Sequence, residues 1–168
     1  MKSVLLLEDV DANAQLVQCA LEQTGGLDVV RAASGDEAVA LFGSRAFDIC
    51  LFDQVMAGMS GLEAMRQIRA SACGRQTPIA FLTAQTDPAT VDMLIEAGAV
   101  TVIAKPLEIL RLVPTLQSAF QAFHSEAGRS DARSVPVSGE APRRLVRHSY
   151  ASYRRQALHA GPRMAAAH

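Results

Sequence analysis

Short apolar runs alternate with longer amphipathic stretches through the first 123 residues of the chain. Most of these runs are continuously apolar, a pattern typical of strands that helices cover on both faces. The runs predict five strands, over Val4–Leu7, Leu27–Ala33, Phe47–Phe52, Pro78–Leu82 and Ala99–Ala104. The remaining stretches predict five helices, over about residues 12–24, 34–42, 60–70, 87–98 and 107–123.

Local signals mark where several of these helices begin and end. The sequences S-G-D-E from Ser34 and S-G-L-E from Ser60 are capping boxes, and Asp87-Pro88 supplies an N-cap followed by proline. Alternating strands and helices predict an α/β fold with a parallel sheet and right-handed crossovers. The first helix ends at Gly25-Gly26, and its apolar face is predicted to contain Ala12, Leu16, Cys19 and Ala20.

Polar residues follow four of the five predicted strands. They are Glu8 and Asp9 after the first strand, Asp53 after the third, Thr83 after the fourth, and Lys105 with Pro106 after the fifth. Each has an ordinary structural explanation when taken singly, such as a helix N-cap, a loop cap or a surface lysine. Because parallel strands end at one edge of the sheet, we expect these side chains to share one pocket.

The combination of groups at this edge suggests a particular chemistry. Three crowded carboxylates repel each other unless a cation is present, and hard oxygen ligands suit Mg²⁺. A lysine ammonium and a threonine hydroxyl are donors for a phosphoryl group. The set therefore indicates phosphoryl transfer, with Asp53 as the nucleophile.

The motifs in their joint order resemble the receiver (CheY-like) domain of two-component response regulators, over about residues 2–123. The resemblance depends on Glu8-Asp9, on Asp53 followed by V-M-A-G-M-S-G, on Thr83-Ala84, and on G-A-V-T-V-I-A-K-P ending at Pro106. It implies a (βα)5 doubly wound, parallel five-stranded sheet of flavodoxin-like order 2-1-3-4-5. It also implies a signalling phosphoacceptor with slow autodephosphorylation, not an enzyme with an external substrate.

The resemblance also implies roles for the acidic residues. Asp53 would accept a phosphoryl group from a histidine kinase or a phosphotransfer protein. Asp9, Asp53 and the backbone carbonyl of Val55 would ligate Mg²⁺ directly, and Glu8 would act mainly through a water molecule.

The donors and the output face follow from the same resemblance. Thr83 and Lys105 would bind phosphoryl oxygens, and Pro106 would form a cis peptide that places Lys105. Movement of Thr83 would shift the face of the fourth helix, fifth strand and fifth helix, through which a homodimer or a downstream protein target would bind. The kinase would dock on the first helix, where the candidate residues are Asn13, Leu16 and Val17.

Two positions depart from the family pattern. Ala57 stands where proline is usual, and we expect a more mobile loop there because proline stiffens a loop. Val102 stands where an aromatic switch residue is usual, so an aromatic ring cannot report phosphorylation in this chain. Both departures concern the readout and leave the chemical residues in place.

Charge is unevenly distributed along the chain. Residues 1–123 hold 8 basic and 14 acidic residues, whereas residues 124–168 hold 8 arginines, 3 acidic residues and all four histidines. This asymmetry predicts an acidic receiver domain over 1–123 and a basic, mostly disordered tail over 124–168. Nucleic-acid binding by the tail is not expected, but a DNA-binding transcriptional regulator is the alternative hypothesis.

Further features limit where the chain acts and what else it could be. Cys19, Cys50 and Cys73 are scattered and predict buried free thiols in a reducing compartment. No signal peptide or membrane span is predicted, so we expect a cytoplasmic protein.

Two other functions on the same fold are disfavoured. A hydrolase would need a second nucleophile or general base near the site, and the sequence shows none. A degenerate receiver that acts only as a dimerisation module would lack part of the set of acidic residues, threonine and lysine, which is complete here.

Overall fold

The computed structural model describes residues 1–130 and contains five strands and six helices in that range. The strands are β1 Ser3–Leu7, β2 Asp28–Ala32, β3 Ile49–Asp53, β4 Ile79–Thr83 and β5 Thr101–Ala104. The helices are α1 Asp11–Gly25, α2 Gly35–Ser44, α3 Gly61–Arg69, α4 Ala72–Gln76, α5 Pro88–Glu96 and α6 Ile109–Ser130.

All strand pairs are parallel, and the sheet order is β2-β1-β3-β4-β5, which confirms the predicted fold class. The central strands β1, β3 and β4 are buried on both faces because their side chains alternate between two apolar clusters, whereas the edge strands β2 and β5 are partly exposed. Leu6 and Leu51 pack in the cluster that contains α1 and α6, while Leu5 and Phe52 pack in the cluster that contains α2 and α3. Because all five strands are parallel, their carboxyl ends lie at the same edge of the sheet.

The helix predictions differ from the structure at two places. The short helix α4 was not predicted, since its five residues include a glycine and show no apolar period; the Ser71 side chain caps it by accepting from the Gly74 amide. The last helix runs to Ser130, seven residues beyond the predicted end at Phe123. His124 lies within it, with its ring against Phe120 and Phe123.

The proposed division between domain and tail stays a prediction. Residues 131–168 lie outside the described part of the chain, so the predicted tail and its alternative role in DNA binding are not covered. Among the residues that the structure covers, no helix is long and apolar enough to cross a membrane.

The predicted apolar face of α1 is partly wrong. The buried residues are Ala14, Val17, Ala20 and Leu21, and Leu16 is 53% exposed. Residues at helical spacing fit two adjacent faces of this helix, and packing against the sheet and α6 selects between them. The prediction of buried thiols holds for Cys50, but Cys19 and Cys73 are exposed.

The Arg69 side chain connects α4 with the two segments that precede β4 and β5. Its guanidinium donates hydrogen bonds to the carbonyl oxygens of Gly74, Thr77 (2.6 Å) and Gly98 (3.1 Å). Burial lowers the pKa of this guanidinium.

We expect Arg69→Met to lower the free energy of unfolding by about 2 kcal/mol, because the charge-assisted hydrogen bonds of its guanidinium are lost. Urea unfolding measures this, with Arg66→Met on the exposed side of α3 as a control that should change little.

Asp48 holds the start of β1 and gives a pH-dependent prediction. Burial alone would raise the pKa of its carboxyl, but the amides of Lys2 and Ser3 donate to it and lower the pKa below its usual value. A lowered folded-state pKa stabilises the fold above the unfolded-state value, and this contribution is lost as pH falls through the folded-state value. We expect Asp48→Asn to lower the Tm at neutral pH and to leave the Tm almost unchanged in strong acid. As a control, Asp92→Asn should leave the Tm unchanged at both pH values.

Candidate functional site

Two buried carboxylates and one ammonium form the centre of the candidate site. Glu8 follows β1 and is fully buried, Asp53 is the last residue of β3, and Lys105 follows β5. The Lys105 Nζ donates to Glu8 Oε2 at 2.9 Å and to Asp53 Oδ2 at 2.7 Å. The predicted convergence of these three strand ends is thus present in the structure.

The charges of this centre influence each other. Burial raises the pKa of the Asp53 carboxyl, and the neighbouring Glu8 adds to this, while Lys105 opposes it. Burial alone would lower the pKa of the Lys105 ammonium, but its bonds to Asp53 and Glu8 outweigh burial and raise it. The ammonium therefore stays charged and partly offsets the repulsion between the two carboxylates.

Asp9 completes the acidic cluster from the loop between β1 and α1. The N-cap of α1 is Val10 and has no side-chain cap bond, so Asp9 is not the helix cap that its position alone suggested. Its Oδ2 instead accepts from the backbone amide of Ala57, at 3.0 Å. A proline at position 57 would have no amide hydrogen to donate. Alanine at position 57, where the family usually has proline, therefore allows the loop after β3 to bond to Asp9.

The loop after β3 packs tightly around the phosphoacceptor candidate. The Val55 amide donates to Asp53 Oδ1 at 3.4 Å, and the predicted role of the Val55 carbonyl stays a prediction. Helix α3 begins at Gly61, where a Cβ atom would lie 2.1 Å from the Asp53 carbonyl oxygen. Glycine at this position lets the complete capping box of Ser60 and Glu63 approach the end of β3.

The acidic cluster suits a hard divalent cation. Glu8, Asp9 and Asp53 each offer a carboxylate oxygen, and these oxygens all lie within 4.8 Å of one another. Oxygen donors at this spacing match the preference of Mg²⁺ for carboxylates completed by water molecules. The residues present thus fit the predicted metal.

Thr83 lies at the same edge, but its hydroxyl is engaged elsewhere. Thr83 is fully buried, and its Oγ1 donates to Gln54 Oε1 at 2.6 Å and accepts from the Gln85 amide at 2.9 Å. Gln54 was not predicted as a site residue, because a glutamine next to an aspartate carries no recognisable sequence signal. Thr83 is therefore near the predicted site, with its hydroxyl bonded to the two loops beside it.

Two further residues that contact the acid pair were missed or assigned another role. Arg31 on β2 donates to the carbonyl oxygens of Glu8 and Asp9. Asn13, predicted as a kinase contact, donates its side-chain amide to Glu8 Oε1 at 3.2 Å. Only the fold shows these contacts, since Arg31 comes from another strand.

The predicted switch position and the predicted cis peptide can also be located. Val102 is half-buried and packs against the cluster beside α2 and α3. The peptide between Lys105 and Pro106 is cis, as predicted.

Known proteins with similar sequences include response regulators, transcriptional regulatory proteins and a sensor histidine kinase. The chain is 41% identical over 110 residues to the two-component response regulator ORR41 of Oryza sativa subsp. japonica, covering 64% of this chain and 85% of ORR41. It is 40% identical over 108 residues to the sensor histidine kinase AruS of Pseudomonas aeruginosa, covering 63% of this chain but 11% of AruS. The chain spans about half of several other curated relatives, such as the transcriptional regulatory protein YvrH of Bacillus subtilis at 48%.

Solved structures and a family model agree with these relatives. The chemotaxis protein CheY4 of Vibrio cholerae matches with a TM-score of 0.67 and 33% identity, over 71% of this chain and 98% of that one. The receiver domain of the histidine kinase PA1611 of Pseudomonas aeruginosa, described with a magnesium ion in its active-site cleft, matches with a TM-score of 0.66 and 30% identity, over the same shares. The family model for the response regulator receiver domain matches residues 4–117. The chain therefore belongs to the response regulator receiver domain family of two-component systems.

Proposed function

We propose that Asp53 accepts a phosphoryl group from a histidine kinase or a phosphotransfer protein, and that this switches protein contacts. The observation that supports this most is the position of Asp53, whose side chain is 8% exposed beside the Lys105 ammonium and two further carboxylates. In this proposal the chain is a phosphoacceptor with slow autodephosphorylation, and it has no external substrate.

The proposed step is a displacement at phosphorus. A carboxylate oxygen of Asp53 attacks, a phosphorus–oxygen bond forms, and the phosphorus–nitrogen bond to the donor imidazole breaks with its electron pair on nitrogen. Lys105 lies 2.7 Å from Asp53 and can donate to a phosphoryl oxygen placed there. Thr83 would donate as well, after its hydroxyl leaves Gln54.

The proposed metal ligands are residues of the acidic cluster. Asp9, Asp53 and the Val55 backbone carbonyl would hold Mg²⁺ directly, with Glu8 bound through a water molecule. Mg²⁺ bound there would neutralise charge on the phosphoryl oxygens. The amide of Ala57 orients Asp9 for this task through its 3.0 Å bond.

The proposed partners follow from the exposed surface around the site. Leu16 and Asn13 are exposed on α1 and suit kinase docking, whereas Val17 is fully buried and is withdrawn as a docking candidate. The face of α5, β5 and α6, which contains the fourth and fifth predicted helices, is proposed to bind a downstream protein or a second copy of the chain.

The proposed location is the cytoplasm. The two exposed thiols favour such a reducing compartment.

Phosphorylation by a small donor tests the proposed chemistry directly. The full chain with Mg²⁺ and acetyl phosphate should gain the mass of one phosphoryl group in intact-mass spectrometry, and hydroxylamine should remove it. Asp53→Asn should abolish the gain, because no carboxylate is then available to form the acyl phosphate. Asp48→Asn serves as a control distant from the site and should keep the gain. A gain that survives in Asp53→Asn or in EDTA would contradict the proposal.

The role of Thr83 gives a separate prediction. Thr83→Ala should still be phosphorylated at Asp53, but phosphorylation should no longer change hydrogen exchange in α5 and the preceding loop. The reason is that the Thr83 hydroxyl also accepts from the Gln85 amide, so its movement would release that loop. Thr83→Ser retains the hydroxyl and should restore the change. An unaltered exchange response in Thr83→Ala would refute this role.

A further inference from the structure

Arg31 extends from β2 across the loop that carries the acid pair. In the sheet register its Cα lies opposite Leu6 on β1, and its side chain is 25% exposed. The guanidinium Nε donates to the Glu8 carbonyl oxygen at 3.2 Å, and one terminal nitrogen donates to the Asp9 carbonyl oxygen at 3.3 Å. The same terminal nitrogen pairs with Asp11 Oδ1 at 2.7 Å.

These contacts span the whole connection between β1 and α1. The connection consists of residues 8–10, and Arg31 contacts two of them and the first residue of α1. The N-cap residue Val10 gives α1 no side-chain cap bond. The ion pair with Asp11 is weak in water because the Asp11 side chain is 81% exposed. The two bonds to carbonyl oxygens are therefore the main restraint that Arg31 provides.

We propose that Arg31 is a positioning residue for the divalent cation site. It fixes the backbone of Glu8 and Asp9 and so holds both carboxylates toward Asp53 before the cation binds. Groups that orient metal ligands without touching the metal commonly change metal affinity tenfold or more. The inference rests on the proposed Mg²⁺ site and concerns its affinity, not the transfer of the phosphoryl group.

The opposite effect is expected if Arg31 acts only through its charge. A guanidinium bonded to the backbone of Glu8 and Asp9 brings positive charge near the cation site and repels Mg²⁺, so its removal would then tighten Mg²⁺ binding. Positioning predicts weaker binding after the same change. The direction of the change in Kd therefore separates the two explanations.

The test is a Mg²⁺ titration of the full chain followed by amide chemical shifts of residues near Asp53. Arg31→Met should raise the Kd for Mg²⁺ by roughly tenfold, because binding becomes weaker. Arg31→Lys retains the charge but cannot donate to both carbonyl groups in the same geometry, so it should also bind more weakly than wild type, by a smaller factor. Arg45→Met removes an arginine that pairs with Asp28, also on β2, and should leave the Kd unchanged.

Each outcome leads to a definite conclusion. A Kd that is unchanged or tighter in Arg31→Met, or equal to wild type in Arg31→Lys, overturns the inference. Thermal unfolding in EDTA accompanies every variant, and the Kd is compared only at temperatures where each variant is folded. Wild-type chain that binds Mg²⁺ but is not phosphorylated would refute the proposed function and leave this inference standing, whereas wild-type chain that binds no Mg²⁺ would overturn both.

Discussion

The bridge that Lys105 forms between Glu8 and Asp53 is the interaction on which the rest of the site depends. Two carboxylates with almost no exposure are unfavourable neighbours unless a cation lies between them. Here the ammonium lies within 2.9 Å of both, after a strand that is two positions away from β3 in the sheet. Because all five strands are parallel, the carboxyl ends of β1, β3 and β5 lie at one edge, and the sheet order places β1 directly beside β3. The sheet topology therefore determines the electrostatics of the site.

In the proposed function, this arrangement would let the site change state. Three carboxylates and one ammonium favour the binding of a further cation, and an attached phosphoryl group would bring new negative charge. Lys105 would then exchange one carboxylate oxygen for a phosphoryl oxygen. Thr83 would make a similar exchange, because its hydroxyl now donates to Gln54 at 2.6 Å. Val102 offers no aromatic ring for the readout, which places more weight on the loop bonded to Thr83.

Backbone groups hold the acidic loop as much as side chains do. The Ala57 amide fixes Asp9 from the loop after β3, and Arg31 fixes the carbonyl groups of residues 8 and 9 from β2. We expected a more mobile loop from the alanine at position 57, but the structure shows that this residue donates a bond that proline could not. At position 57, proline would stiffen the loop, whereas alanine donates the hydrogen bond that orients Asp9.

Local patterns in the sequence predicted all five strands, five of the six described helices and the polar residues at the strand ends. Apolar runs, capping boxes and the polar residues after each run are local signals, so Glu8, Asp9, Asp53 and Lys105 could be identified without coordinates. The buried side of α1, the exposure of Leu16, and the contacts that Gln54, Ala57 and Arg31 make at the site could be found only from the tertiary structure. These contacts join residues 22 to 48 positions apart, and they depend on strand register and loop packing, which no local pattern encodes.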